Sequence, residues 1–367
     1  MKKILIWGMT NIAGGVESVV MNFLRNMDRS ELEIHFLTYH SNIVYADEIT
    51  MMGGKILTIT PKRESFYKFR KELKEIFINN NYDCVWANNC SLANIDILKY
   101  AKKYGVKKRI IHAHNSKNMG SIIHYVLHLI NKLSIGKVAT HYWSCSKAAS
   151  EYFYTKKIMG NPNYKIINNA INTNKFRFSE KDRIKLREEL GINKNDFVVG
   201  HVGRFHEQKN HGFLIDVFNE LQKQKKNSKL VLVGIGEGQD AIKQKVKALN
   251  IEDKVLFLGA RSDIPNLLSA MDIFLFPSLY EGLSVALVEA QTSGLTIFTT
   301  TNVISDTKLT ENYFSLDLNS GAKYWSEFIL KNYNSEWKRE KNLEEVTNRN
   351  FDIKAEANKM LEQFLLD

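Results

Sequence analysis

The sequence predicts an α/β protein made of two doubly wound parallel-sheet domains. Three features predict it. A chain of 367 residues is about two domains long at ~150 residues each. Short apolar runs alternate with amphipathic or polar stretches of helical length, the pattern of strands joined by crossover helices. That alternation stops at 168–178 and then starts again.

Ile4-Leu5-Ile6-Trp7 follows Lys2-Lys3 and breaks at Gly8 with no small-residue cleavage site. It is therefore a first strand rather than a signal peptide. Further strands are expected at 33–38, 55–59, 84–87 and 108–113, and helices at 16–27, 66–79, 94–104 and 121–133. The Ile- and Leu-rich helix at 121–133 reads as a buried crossover, the alternative being an apolar face turned to a membrane. Two more short strands fall at 142–145 and 165–168. After the restart, strands at 197–202, 229–234, 255–258, 273–276 and 295–299 alternate with helices at 210–224, 239–249, 263–270 and 283–293. Ile353, Ala357, Met360, Leu361, Phe364 and Leu365 share one helical face, which predicts a closing helix over about 351–366. The expected domains are 1–170, with 351–366 packing back on it, and 171–350.

Hydrophobic residues make up 44% and charged residues 25% of the chain, enough to bury two cores. Four prolines and twenty glycines exclude a collagenous or Pro/Gly-rich disordered chain. Cys84, Cys90 and Cys145 are too few and too irregularly spaced for a zinc ribbon or a disulfide framework, so they read as reduced thiols of a cytosolic protein. The apolar stretches fall short of the ~20 residues a spanning helix needs. Charge is uneven. Residues 1–178 carry 26 Lys+Arg against 12 Asp+Glu, a net +14, and residues 179–367 carry 25 against 28, a net −3. Lys68, Arg70, Lys71 and Lys74 form one basic cluster, and Lys99, Lys102, Lys103, Lys107, Lys108 and Arg109 another. Such a half suits an anionic membrane surface or a phosphate-bearing substrate. Nucleic acid is not expected, because no recognised nucleic-acid-binding motif occurs.

In doubly wound sheets, ligands bind at the carboxyl ends of strands. The first such loop, Thr10-Asn11-Ile12-Ala13-Gly14-Gly15-Val16-Glu17, places Gly14 and Gly15 at a strand-to-helix turn. Backbone amides can approach a phosphate there, or the glycines simply relieve crowding. The turn lacks the dinucleotide glycine fingerprint, and the chain has no P-loop. Gly203-Arg204-Phe205-His206-Glu207-Gln208-Lys209-Asn210 follows the first strand of the second domain. Arg204 offers a fork and Lys209 a point charge to one diphosphate, although two exposed basic residues need no ligand. In 276–294 an apolar strand runs into a turn carrying Glu281 and then a helix opening near Leu283. The amides of Gly282, Leu283 and Ser284 have no partners within that helix. Glu289, about two turns in, can accept hydrogen bonds from a vicinal diol such as a ribose.

Pro277-Ser278-Leu279-Tyr280-Glu281-Gly282-Leu283-Ser284-Val285, with Glu289 completing a Glu-x7-Glu element, resembles the retaining glycosyltransferases of family four. These have the GT-B fold, two Rossmann-like domains facing across a cleft. Other family elements occur in the expected order: Gly14-Gly15-Val16-Glu17, the 203–210 block, Leu232-Val233-Gly234-x-Gly236, Val255-x-Phe257-x-Gly259-Ala260-Arg261-x-Asp263 and Ala270-Met271-Asp272-Ile273. The wording is most similar to transferases that build bacterial capsular and exopolysaccharide repeat units.

The resemblance implies that Arg204 and Lys209 neutralise the diphosphate leaving group, that Glu289 holds the ribose and that Glu281 contacts the transferred sugar. Amides at Gly282, Leu283, Ser284 and Val285 would cap the phosphates, and Arg261 would lie by the base. The family's active-site histidine follows a first-domain strand. Ile111-His112-Ala113-His114-Asn115 offers two, and His114 is preferred as nearer the loop. A His-x-His pair can also ligate a metal, but no carboxylate or cysteine stands at matching spacing. The sequence has no Asp-x-Asp, and the resemblance implies neither a metal nor a cofactor. It implies retaining transfer of a hexose or N-acetylhexosamine from a nucleotide sugar, taken as a UDP-sugar, to a lipid-linked saccharide. The basic first domain would then hold a cytoplasmic protein peripherally on the inner face of the cytoplasmic membrane. Two rival expectations are a GT-B nucleotide-sugar epimerase and a nucleotide-sugar-binding protein without turnover. The chain departs from the family at Asn169-Ala170-Ile171-Asn172, where many members have Asn-Gly-Ile-Asp, and at Phe298-Thr299-Thr300-Thr301-Asn302, which replaces a Pro-rich stretch.

Overall fold

The computed structural model describes residues 1–12, 14–118, 120–281 and 283–366. The chain divides into two compact units, Met1–Asn169 with Ile353–Asp367, and Ala170–Asp352. In the first, β1 (Lys2–Trp7) leads through α1 (Gly15–Arg25) to β2 (Leu32–Thr38), then through α2 (Ala46–Met51) to β3 (Lys55–Thr58). The chain crosses back through α3 (Phe66–Asn79) to β4 (Cys84–Asn89) and through α4 (Asp96–Lys103) to β5 (Lys108–Ala113). α5 (Ile122–Ser134), β6 (His141–Ser144), α6 (Lys147–Phe153), α7 (Lys156–Met159) and β7 (Tyr164–Ile166) follow. The strand order is β3-β2-β1-β4-β5-β6-β7, and each of these pairings is parallel.

The second unit starts with α8 (Glu180–Glu189), β8 (Phe197–Val202), α9 (His211–Gln224) and β9 (Ser228–Val233). α10 (Gln239–Ala248), β10 (Val255–Phe257), α11 (Ile264–Ala270) and β11 (Ile273–Phe276) come next. It continues through α12 (Val285–Thr292), β12 (Thr296–Thr300), β13 (Tyr313–Leu316), α13 (Gly321–Asn332) and α14 (Lys341–Asn348). Its order is β10-β9-β8-β11-β12-β13, again parallel. Helices cover both faces, so the central strands are mostly buried; all four residues of β11 are fully buried. The order reverses between β1 and β4 in one sheet and between β8 and β11 in the other, and crevices open at such points.

α15 (Ile353–Leu365) then returns to the first unit and packs on α1. Phe364 lies 5.5 Å from Trp86 and 6.0 Å from Trp143, ring centre to ring centre. Lys108 Nζ donates to the Gln363 carbonyl at 2.6 Å, a cation at the carbonyl end of the helix. The closing helix and the two doubly wound sheets are as expected from the sequence.

Two features differ from expectation. The sequence reading had no α2, α6, α7, α8, α13, α14 or β13. α8 is almost wholly charged and is held by buried Leu186 and Arg187, the latter donating to Asp272 at 2.8 Å. α13 is anchored by Trp325 and Ile329. More consequentially, α5 is not a buried crossover helix: Ile122, Ile123, Ile130 and Leu133 are each at least 58% exposed. It rests on the loop after β4 and on the end of α6 through polar side chains instead of lying on the sheet.

Candidate functional site

The loops at the β8/β11 switch point of the second unit are locked together by backbone contacts. A Cβ on Gly234 would lie 2.1 Å from the Gly203 carbonyl oxygen, and one on Gly236 would lie 2.4 Å from that of Phe205. Only glycine lets the loops after β8 and β9 approach so closely. The β8 loop then makes a short turn over Glu207–Lys209, capped by His206, whose Nδ1 accepts the Gln208 N–H at 3.2 Å. This turn is fastened to the loop after β11: Leu279 N–H donates to the Gln208 carbonyl at 2.8 Å, and Gln208 Nε2 donates to the Tyr280 carbonyl at 3.0 Å.

The result brings Lys209 Nζ to 2.5 Å from Glu281 Oε1, with the side chains only 18% and 10% exposed. The ammonium also sits 4.6 Å from the Phe276 ring centre. Below it, fully buried His201 has Nδ1 2.9 Å from the Leu275 carbonyl oxygen, which requires the proton on Nδ1. Burial holds His201 well below the usual histidine range and brings its neighbour His211 down to about 4. Both rings are therefore neutral at pH 7, and positive charge here is left to Lys209.

The other predicted residues of this unit make contacts of their own. Arg204 is 66% exposed and stands 4.0 Å from Glu237, with His206 3.9 Å from the same carboxylate. Arg261 is clamped by Asp263 through two bonds of 2.6 and 2.7 Å, and Glu189 lies 3.5 Å away. Buried Ser284 heads α12 and Val285 opens its first turn, 39% exposed, while Leu283 packs toward the core. Gly282 lies outside the described residues. Glu289 is half-buried on α12, and burial raises its carboxyl to about 7 against the pull of Lys175.

In the first unit the β1/β4 switch point holds Gly8 at φ +114, where a Cβ would lie 2.2 Å from the Asn88 carbonyl oxygen. Asn88 Oδ1 lies 2.9 Å from Nε2 of His114 at the end of β5, so Nε2 donates. Burial brings His114 down to about 3, making it a neutral hydrogen-bonding group rather than an acid. His112 is fully buried and accepts from Trp86 Nε1 at 3.3 Å, so of the two only His114 reaches the strand end. Gly14 precedes α1 and Gly15 opens it. Buried Glu17 accepts the Thr10 N–H at 3.0 Å and the Thr10 hydroxyl at 2.7 Å, and a Cβ on Gly14 would lie 2.8 Å from its other oxygen. Nothing crowds Gly15.

The sequence reading did not single out Asn88, Gln208, Phe276 or Glu237. Asn88 could have been found from its place at the end of the strand beside β1. Glu237 carries no signal apart from following Gly236. Among the described residues no group of three or more His, Cys, Asp or Glu is arranged to hold a metal ion, and no helix is long and apolar enough to cross a membrane.

The family described as glycosyl transferases, group 1, matches residues 182–312. Over 333 residues the chain is 31% identical to the putative glycosyltransferase EpsF of Bacillus subtilis (strain 168), covering 87% of this chain and 84% of that protein. The chain belongs to the group 1 glycosyltransferases. This glycosyltransferase is also 33% identical over 152 residues to the Escherichia coli UDP-Gal:alpha-D-GlcNAc-diphosphoundecaprenol alpha-1,3-galactosyltransferase, covering 41% of its own length and 39% of the relative's. Its fold is similar to that of HepE from Anabaena, solved in complex with UDP, with a TM-score of 0.78 at 20% identity over 99% of both chains. A glycosyltransferase from Rickettsia africae ESF-5 gives 0.78 at 16% identity, over 99% of this chain and 97% of that one. The glycosyltransferase thus has the GT-B architecture of two Rossmann-like domains.

Proposed function

We propose that this glycosyltransferase moves a hexose or N-acetylhexosamine from a UDP-sugar to a lipid-linked saccharide, with retention of configuration and without a metal, in the synthesis of a capsular or exopolysaccharide glycan. The Lys209–Glu281 pair at the β8/β11 switch point carries the reading. Cleaving a sugar–diphosphate bond leaves negative charge on the diphosphate and positive character on the sugar. A cation and a carboxylate held against each other are placed to separate the two, Lys209 turning to the phosphates and Glu281 to the sugar hydroxyls. Arg204 leaves its exposed partner Glu237 to join Lys209, and the amides of Leu283, Ser284 and Val285 leading into α12 complete a preorganised cradle for the leaving group. Glu289, as a carboxylate, holds the ribose, and Arg261 lies by the base.

In the first unit, taken as the acceptor-binding one, His114 and the Gly14-Gly15 turn contact the reacting sugars. The acceptor hydroxyl attacks on the face the diphosphate leaves, and a departing phosphate oxygen takes its proton. The substrates written into the E. coli relative's name and the UDP bound to the Anabaena neighbour support the choice of UDP and of a lipid-diphosphate acceptor. The net +14 of residues 1–178 supports docking on an anionic membrane surface from the cytoplasmic side. A thermal-shift screen of UDP-, GDP- and ADP-sugars tests the donor, because a ligand of the native state raises its melting temperature. Stabilisation by a UDP-sugar is expected; no shift with any of them overturns the reading.

A further inference from the structure

α5 is built with its polarity reversed. Toward the rest of its own unit it presents His128 and Asn131. Leu92 N–H donates to His128 Nδ1 at 3.0 Å, His128 Nε2 lies 3.0 Å from the Tyr152 carbonyl oxygen, and Asn131 Nδ2 donates to the Leu92 carbonyl at 2.7 Å. Outward it presents Ile122, Ile123, Val126, Leu129, Ile130 and Leu133, between 42% and 80% exposed. A surface helix facing only water is arranged the other way round, and a contiguous apolar face of this kind marks contact with something apolar.

Charge identifies that contact. From Ile97 to Ser150 the sequence carries ten Lys and Arg and no Asp or Glu. Lys102 and Lys103 end α4, Lys117 precedes α5, Lys132 lies in its last turn and Lys137 follows it. An apolar face set in a wholly basic stretch matches the two layers of an anionic lipid surface, acyl chains beneath negative headgroups. α5 is a helix of 13 residues, about 20 Å long at ~1.5 Å per residue, too short to span a bilayer. We propose that α5 lies in the plane of an anionic membrane, its isoleucines and leucines among the acyl chains and the neighbouring lysines at the headgroups. The inference rests on the membrane-docking reading above and assigns that docking to one element. It also gives the binding two parts, an electrostatic one that salt removes and an apolar one that salt leaves.

The test is co-sedimentation of the full chain with vesicles of phosphatidylglycerol and phosphatidylcholine, or of phosphatidylcholine alone, at low and high salt. The wild type should bind the anionic vesicles and keep part of that binding at high salt. Ile123→Ser with Ile130→Ser should cut binding about tenfold or more at an unchanged melting temperature. Ile122→Ser with Leu133→Ser, nearer the helix ends, serves should the first pair fail to fold. If both pairs bind as the wild type does, α5 is not the anchor, although docking itself stands. Absence of wild-type binding to anionic vesicles overturns the docking reading together with this one. A wild-type dimer in the ultracentrifuge that the serine variants dissociate would show the face covered by a second copy, and that too overturns the proposal.

Discussion

Lys209 Nζ and Glu281 Oε1 meet at 2.5 Å across 72 residues of chain. The contact exists because two loops that the topology places side by side are sewn together through Gln208, so neither side chain can be understood from its own segment. Removing one partner leaves the other nearly buried and unpaired. Lys209→Met should therefore cost about 3 kcal/mol, the low end for breaking a buried pair, because both side chains keep some exposure. Lys209→Met with Glu281→Gln should recover most of that loss in denaturant unfolding. Transfer activity should fall at least ~10²-fold in both. A double variant no more stable than the single one contradicts this account of the pair.

Arg204 should behave in the opposite way. Its contact with Glu237 is long and exposed, and such pairs add little to stability. Arg204→Ala should leave the unfolding midpoint where it is and weaken UDP binding about tenfold by calorimetry. An equal loss of stability and affinity would mean that Arg204 is structural.

Glu289 sets a pH dependence. Its carboxyl titrates at about 7 in the native state against 4.5 for an unperturbed glutamate, so the native state holds more protons between those values. Stability is then lost as pH rises from 4.5 to 7, by about 3 kcal/mol. Glu289→Gln takes away this titrating carboxyl, so the variant should gain on wild type at pH 8 relative to pH 5 while binding a UDP-sugar less tightly. A stability difference that is the same at both pH values rejects the assignment.

The buried histidines pull the other way. His114 titrates at about 3, and His141 and His211 at about 4, against 6.5 when unperturbed. The unfolded chain binds more protons below 6.5, so this stability is present above 6.5 and is lost as pH falls toward 4. Three such groups outweigh one glutamate, and the melting temperature of the wild type should drop across that window. His114→Gln, which keeps a donor for Asn88, should make the drop shallower in a pH series of thermal melts.

Phe364 is 2% exposed and closes α15 onto Trp86 and Trp143. Phe364→Ala should cost about 3–4 kcal/mol in urea unfolding; a loss below ~1 kcal/mol would mean that the helix contributes little to the first unit.

Most strands of both sheets were legible because buried parallel strands are continuous apolar runs, and Ile273–Phe276 is one. Lys209 stood out in the sequence in the loop after β8, and Glu281 and Glu289 stood out around the turn into α12; that Lys209 and Glu281 meet is what the structure adds. α8 was not, since seven other charged residues flank the two side chains that hold it. α5 was misplaced for a deeper reason. Periodicity says which residues are apolar but not which side of the helix meets the rest of the unit, and here His128 and Asn131 make that contact, with the loop after β4 and with α6. The turn of Arg204 toward Glu237 depends on two loops of different strands, a relation that no local pattern contains.

The return of α15 makes residues 170–352 an insertion within the first unit. On the ribosome, the inserted sheet has its whole sequence before Ile353 is added. The earlier-made sheet, although all its strands precede residue 170, waits for the final helix to cover its tryptophans. Domains made in sequence order usually fold in that order. Here the second unit has its whole sequence before the first unit does, which leaves the surface around Trp86 and Trp143 the last to gain its cover.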